Sequence, residues 1–163
     1  MRWGRRQSAR AELDLAGRTW PKVISCEQDA YVASASSDVL MRAAAGVRLA
    51  VTRDLDSASD TLFALLHDPE NTFVTQETAQ ALAARRDSEG IRFLLRAYSD
   101  ADELGGYYIR DAIIVPPPGV EYPEADPVME ERRLLLDDLA RDADVEVAKV
   151  ARLFLVGLAG GSI

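Results

Sequence analysis

Lysine, cysteine and histidine are almost missing from this chain. Its 163 residues hold one cysteine (Cys26), one histidine (His67) and two lysines (Lys22 and Lys149), against seventeen arginines. A single cysteine permits no internal disulfide, so no oxidising compartment is implied. One cysteine and one histidine cannot supply the usual zinc site, which takes about four ligands. No apolar run approaches the ~20 residues of a membrane-spanning helix. The stretch MRWGRRQSAR is basic, but no hydrophobic region follows it, so it does not read as a secretory signal. A soluble, cytoplasmic protein is the expectation. No G-x-S-x-G, Ser-x-x-Lys or H-E-x-x-H occurs, so no activated nucleophile or metal centre is legible. No cofactor is expected.

Charge of one sign is also in short supply. The net charge of −8 argues against sequence-independent nucleic-acid binding, which depends on a basic surface. The imbalance is local. Residues 1–10 carry Arg2, Arg5, Arg6 and Arg10 and no acid, whereas residues 121–146 carry ten acids against Arg132, Arg133 and Arg141.

What the chain does have is helical periodicity. Residues 1–20 read as a mobile basic segment that Trp20-Pro21 closes, since proline disfavours helix in the residue before it. Ser25 could cap a helix over 26–35. Asp38 caps the next, with Leu40, Ala44, Val47 and Val51 predicted on its inner face. Leu62, Leu65 and Leu66 mark a second helix, ended at His67-Asp68-Pro69. The pattern repeats, with Val74, Thr78, Ala79 and Leu82 on one helix and Ile91, Leu94, Leu95 and Tyr98 on its successor. Each pair spans roughly 30 residues, the period of stacked helix pairs. A third pair begins at Asp100 with Leu104, Tyr108 and Ala112 inward, and Gly105-Gly106 weakens it by roughly 1 kcal/mol per glycine. Asp126-Pro127 restarts a helix to about Ala140. A last helix places Val147, Val150, Ala151, Phe154 and Leu158 on one face.

LLHDPENTFVTQETAQALAARRDSEGIRFLLRAYSD (65–100) resembles the HEAT-repeat family in its bacterial short-repeat form. A leucine pair, Asp-Pro, an alanine-rich helix, a polar turn and another leucine pair follow in that family's order. LARDADVEVAKVARLFL (139–155) is similar, and DVLMRAAAGVRLAV (38–51) matches less well. The resemblance implies an all-α short solenoid of stacked antiparallel helix pairs over residues 21–163. It also implies partner binding rather than catalysis. An irregular helical bundle is the alternative. Gly46 and Thr78 depart from the pattern, standing where alanine is usual.

Most single features have a plain reading. His67 suits a helix carboxyl end. Asp100, Asp102 and Gly105 imitate a calcium loop, but Leu104 and Asp111 break it, and acids at a helix start explain them. Cys26 reads as a small buried hydrophobe.

Arg92 and Arg96 lie one turn apart, away from the apolar stripe. In stacked pairs the second helices line the concave face, so these arginines could enter a binding groove. The largest irregularity is the proline-rich connection over 115–125, longer than the usual two to eight residues between helices and placed inside a pair. Pro116, Pro117 and Pro118 favour a stiff polyproline strand, and Tyr122 adds an amphipathic contact.

The function expected is a non-catalytic scaffold or adaptor. It would bind a protein partner through the concave face and the proline-rich arm, with Arg92, Arg96, Tyr107, Tyr108, Pro116, Pro117, Pro118 and Tyr122 as candidate contacts. The acidic window favours a basic partner. No nucleic-acid or membrane partner is expected, and an open solenoid end could pair with a second copy. Two alternatives stand beside this. One is an acidic immunity or antitoxin protein masking a basic toxin. The other is an enzyme or small-molecule binder with its pocket under the arm.

Overall fold

Aspartate or asparagine caps most of the described helices. A computed structural model describes residues 26–115 and 127–158. The order is α1 (Glu27–Ser34), α2 (Val39–Ala50), α3 (Leu55–Leu66), α4 (Thr72–Ala84), α5 (Ser88–Asp100), α6 (Glu103–Ile114), α7 (Pro127–Leu139) and α8 (Val145–Leu158). Asp38, Asp54, Asn71, Asp87 and Asp102 each accept a backbone N–H of the first turn, at 2.9, 3.1, 2.9, 2.8 and 2.7 Å. Asp144 does the same for α8, accepting from Glu146 N–H at 3.1 Å. Such a cap is worth about 1 kcal/mol.

The helices pack mainly on their neighbours in two rows. α1, α2, α4 and α6 pack in succession, while α3 lies against α5 and α5 against α8. Consecutive helices α2 with α3, α4 with α5, and α7 with α8 pack as pairs. α7 packs on α8 and α5, and α6 on α4 and α5. The proline-rich connection therefore joins two packing units. This corrects the expectation that it sits inside a pair. Residues 116–126 lie outside the described residues, as do Trp20, Ser25, Pro116, Pro117, Pro118, Tyr122 and the proposed Asp126 cap.

The core is leucine, isoleucine and alanine, with Phe154 the largest fully buried side chain. Tyr98 meets it edge to face at 5.0 Å between ring centres, fastening α5 to α8. The stripes predicted for α3, α4 and α5 are the buried ones, apart from half-buried Tyr98. Of the stripes predicted for α2 and α6, only Ala44 and Ala112 are buried. Leu40 and Val51 are 52% and 55% exposed, and Leu104 is 55% exposed. α2 instead buries Arg42, Ala43, Ala44, Ala45, Gly46, Leu49 and Ala50, because α1, α3 and α4 surround it. α6 buries Gly106, Ile109, Ala112 and Ile113. Cys26 is exposed at the start of α1 rather than buried.

Arginine explains much of how the rows are joined. The last carbonyls of a helix lack intrahelical partners, and a planar guanidinium can donate to several acceptors at once. Arg85 donates to Ala50 O at 3.0 Å and Thr52 O at 2.6 Å, closing the end of α2 from α4. Arg152 donates to Ala140 O at 2.7 Å just past α7. His67 supplies the same service between α3 and α5, with ring nitrogens 2.8 Å from Phe63 O and 3.0 Å from Ala97 O.

Candidate interaction surface

Three groups of side chains stand out on this scaffold. The first is the outward face of α5. Its Leu94 and Leu95 point inward, which leaves Arg92 and Arg96 outside. They do not project freely. The Arg92 fork clasps Asp142 in the α7–α8 turn, Nε to Oδ2 at 2.8 Å and Nη2 to Oδ1 at 3.2 Å. Arg96 Nε lies 3.4 Å from Asp144 Oδ2. The Arg92 hydrogen bonds, joined by the N–H of Asp144, hold the Asp142 carboxyl below the usual carboxylate range. Asp56 of α3 adds to the negative field around Arg92. Phe63 of α3 meets Phe93 of α5 at 5.3 Å on the half-buried part of this face and stacks on His67 at the same distance.

The acidic window looks different once folded. Glu130 pairs with Arg133, Glu131 with Arg86, Asp137 and Asp138 with Arg141, and Glu146 with Lys149. With Asp142 and Asp144 on Arg92 and Arg96, every acid of the window's described residues has a cation within reach. Its pull on a basic partner is therefore weaker than its own charge count suggests.

The second group is at the root of the proline-rich connection. Arg132 of α7 is 4% exposed. Its Nη1 donates to Ile113 O at 3.2 Å and Val115 O at 2.7 Å. One guanidinium thus ties the end of α6 to the first turns of α7, so both ends of the connection are anchored together. Nothing in the local sequence marks Arg132 for this, since its acceptors precede it by 19 and 17 positions.

The third is the α5–α6 corner. Tyr107 is 50% exposed and Tyr108 half-buried, their rings edge to face at 5.3 Å. The Arg110 guanidinium lies over the Tyr107 ring, 5.2 Å from its centre. Beside them runs an open groove of about 680 Å3, lined by Tyr98, Leu104, Tyr107 and Arg110 with Asp102 and Glu103 at its acidic side. No described hydrogen bond or ion pair links this corner to Arg92 or Arg96, so the candidate contacts form separate groups.

Among the described residues no group of three or more histidine, cysteine, aspartate and glutamate side chains could hold a metal ion. No described helix is long and apolar enough to cross a membrane. The chain matches no protein-family model, no curated protein and no solved structure.

Proposed function

We propose that this chain is a short α-solenoid of HEAT-like helix pairs that works as a non-catalytic protein-binding module. The α3–α5 face, Tyr107 and Tyr108, and the proline-rich connection with Pro116, Pro117, Pro118 and Tyr122 are its contact elements. The observation that carries this reading is the clasp of Arg92 and Arg96 by Asp142 and Asp144. It holds two long side chains in place on an outward helix face before any partner arrives. Side-chain ordering costs about 0.5–1.5 kcal/mol each on association, and a prearranged surface avoids part of that cost. Arg132 supports the same reading by fixing where the connection leaves and rejoins the fold. Because the acids of α7 and its turn are paired, the proposed partner is one of mixed charge, held with moderate salt dependence.

The test is a deletion. Replacing Pro116–Glu124 by a short glycine bridge leaves circular dichroism and melting close to wild type and removes retention of the partner. Loss of helix in that variant, or unchanged retention, contradicts the role given to the connection.

A further inference from the structure

Arg110 stands apart from the other arginines that are not fully exposed. Arg42, Arg85, Arg92 and Arg132 each donate to a carboxylate or a carbonyl. Among the described residues Arg110 has no such acceptor. It is half-buried, its Nε is shielded from solvent without a hydrogen-bond partner among the described residues, and its guanidinium lies over the face of Tyr107. A shielded donor left unpaired is unfavourable, more so when charged. The guanidinium is therefore held by a ring and by nothing directional, and it borders the α5–α6 groove.

We infer that the α5–α6 groove is a binding site for a small monocarboxylate carried on an aromatic body, with Arg110 as its anion receptor. This goes beyond partner binding and does not depend on it. A guanidinium fork matches the two oxygens of a carboxylate. The rings of Tyr98 and Tyr107, with Leu104 and Ala101, offer the apolar wall that such a body needs. The volume, about 680 Å3, is that of small-ligand sites. Asp102 and Glu103 also line the groove and disfavour a dianion such as a phosphate monoester more than a monoanion, since like charges repel. On binding, the side chain turns from the Tyr107 face and directs Nε and a terminal nitrogen at the ligand, which relieves the unpaired donor.

The experiment is a titration of the 15N-labelled full chain with phenylacetate and its neutral isostere phenylacetamide, following arginine Nε–H signals. Phenylacetate is expected to shift the Arg110 Nε–H and leave those of exposed Arg48 and Arg53 unmoved. The amide should bind about tenfold more weakly or worse, the size expected from one charged hydrogen-bonded pair. In the variants at 110, which lack that signal, the titration is followed on the backbone amides of Gly105 and Gly106 beside the groove, and Arg110→Gln removes their phenylacetate response. Arg110→Lys, which keeps the charge and loses the fork, weakens it. Tyr107→Leu weakens phenylacetate and phenylacetamide alike. Equal affinity for acid and amide, an unchanged Arg110→Gln titration, or shifts spread over all exposed arginines would overturn the assignment. Each of these outcomes leaves the partner-binding reading untouched.

Discussion

Gly46 of α2 lies directly against Thr78 of α4. A methyl group on Gly46 would overlap Thr78 Oγ1 outright and sit 3.0 Å from its Cβ and 3.2 Å from its Cγ2. The two residues are matched in size: one has no side chain and its neighbour fills the space. The Thr78 hydroxyl also has no hydrogen-bond partner and is fully buried.

That relationship predicts a double-mutant cycle. Gly46→Ala gains helix propensity, worth about 1 kcal/mol, but overpacking costs about 1–3 kcal/mol, so the single variant is destabilised. Thr78→Ala alone loses packing. The double variant recovers to near wild type or above, with a coupling of about 1–2 kcal/mol. Urea unfolding measures it; simple additivity would rule out the contact. Thr78→Val, which keeps the shape and removes the unpaired hydroxyl, should be neutral or stabilising.

The Arg42–Asp68 pair should fail from either side. Arg42 Nε and Nη2 donate to Asp68 Oδ2 and Oδ1 at 2.7 and 3.2 Å, and the side chains are only 8% and 6% exposed. Arg42→Gln leaves the buried Asp68 carboxylate without its cation and should cost about 3 kcal/mol; Asp68→Asn should cost less, because Arg42 keeps Glu70 at 3.0 Å and Ser36 O at 2.9 Å. Denaturant midpoints check this.

The same site sets an acid limit. Burial would raise the Asp68 carboxyl, but Arg42 and the N–H groups of Asn71 and Glu70 outweigh it and hold it below the usual range. Asp142 is lowered too, chiefly by Arg92. A folded pKa below the unfolded value gives stability that is present above the unfolded pKa, about 4. It is lost as pH falls through the folded one. Stability should therefore hold near pH 5 and fall below about pH 4. Asp68→Asn, itself less stable, should show a shallower fall over that acid range. An equally steep acid transition in Asp68→Asn would contradict this.

Arg132→Met should loosen the root of the proline-rich connection. Its loss leaves Ile113 O and Val115 O without that donor. Amide exchange over 111–115 and 127–131 should quicken before global unfolding, with α2 and α4 unaffected. Unchanged exchange there would show that the clamp is unnecessary.

How far the sequence was legible follows from which helices are covered on one side. The leucines of α3 and α5 face one core, so Leu62, Leu65, Ile91 and Leu94 showed their direction by period alone. α2 is surrounded by α1, α3 and α4 and buries mostly alanine and glycine, so its larger Leu40 and Val51 pointed to the wrong face. The Asp38 cap was readable because capping is local. Arg42–Asp68 and Arg92–Asp142 were not, since 26 and 50 positions separate the partners. The surplus of arginine over lysine was visible from the start, but its use as a bridge between helix ends needed the packing. His67 at the end of α3 was legible, whereas its reach to Ala97 O of α5 was not.

The most direct test of the binding account is capture from cells that make this protein, using wild type beside Arg92→Ala/Arg96→Ala and the Pro116–Glu124 deletion. The account predicts one partner protein retained by the wild type in stoichiometric amount, reduced at least tenfold by each variant while circular dichroism stays helical. No retained protein at low salt, or equal retention by all three, would contradict it.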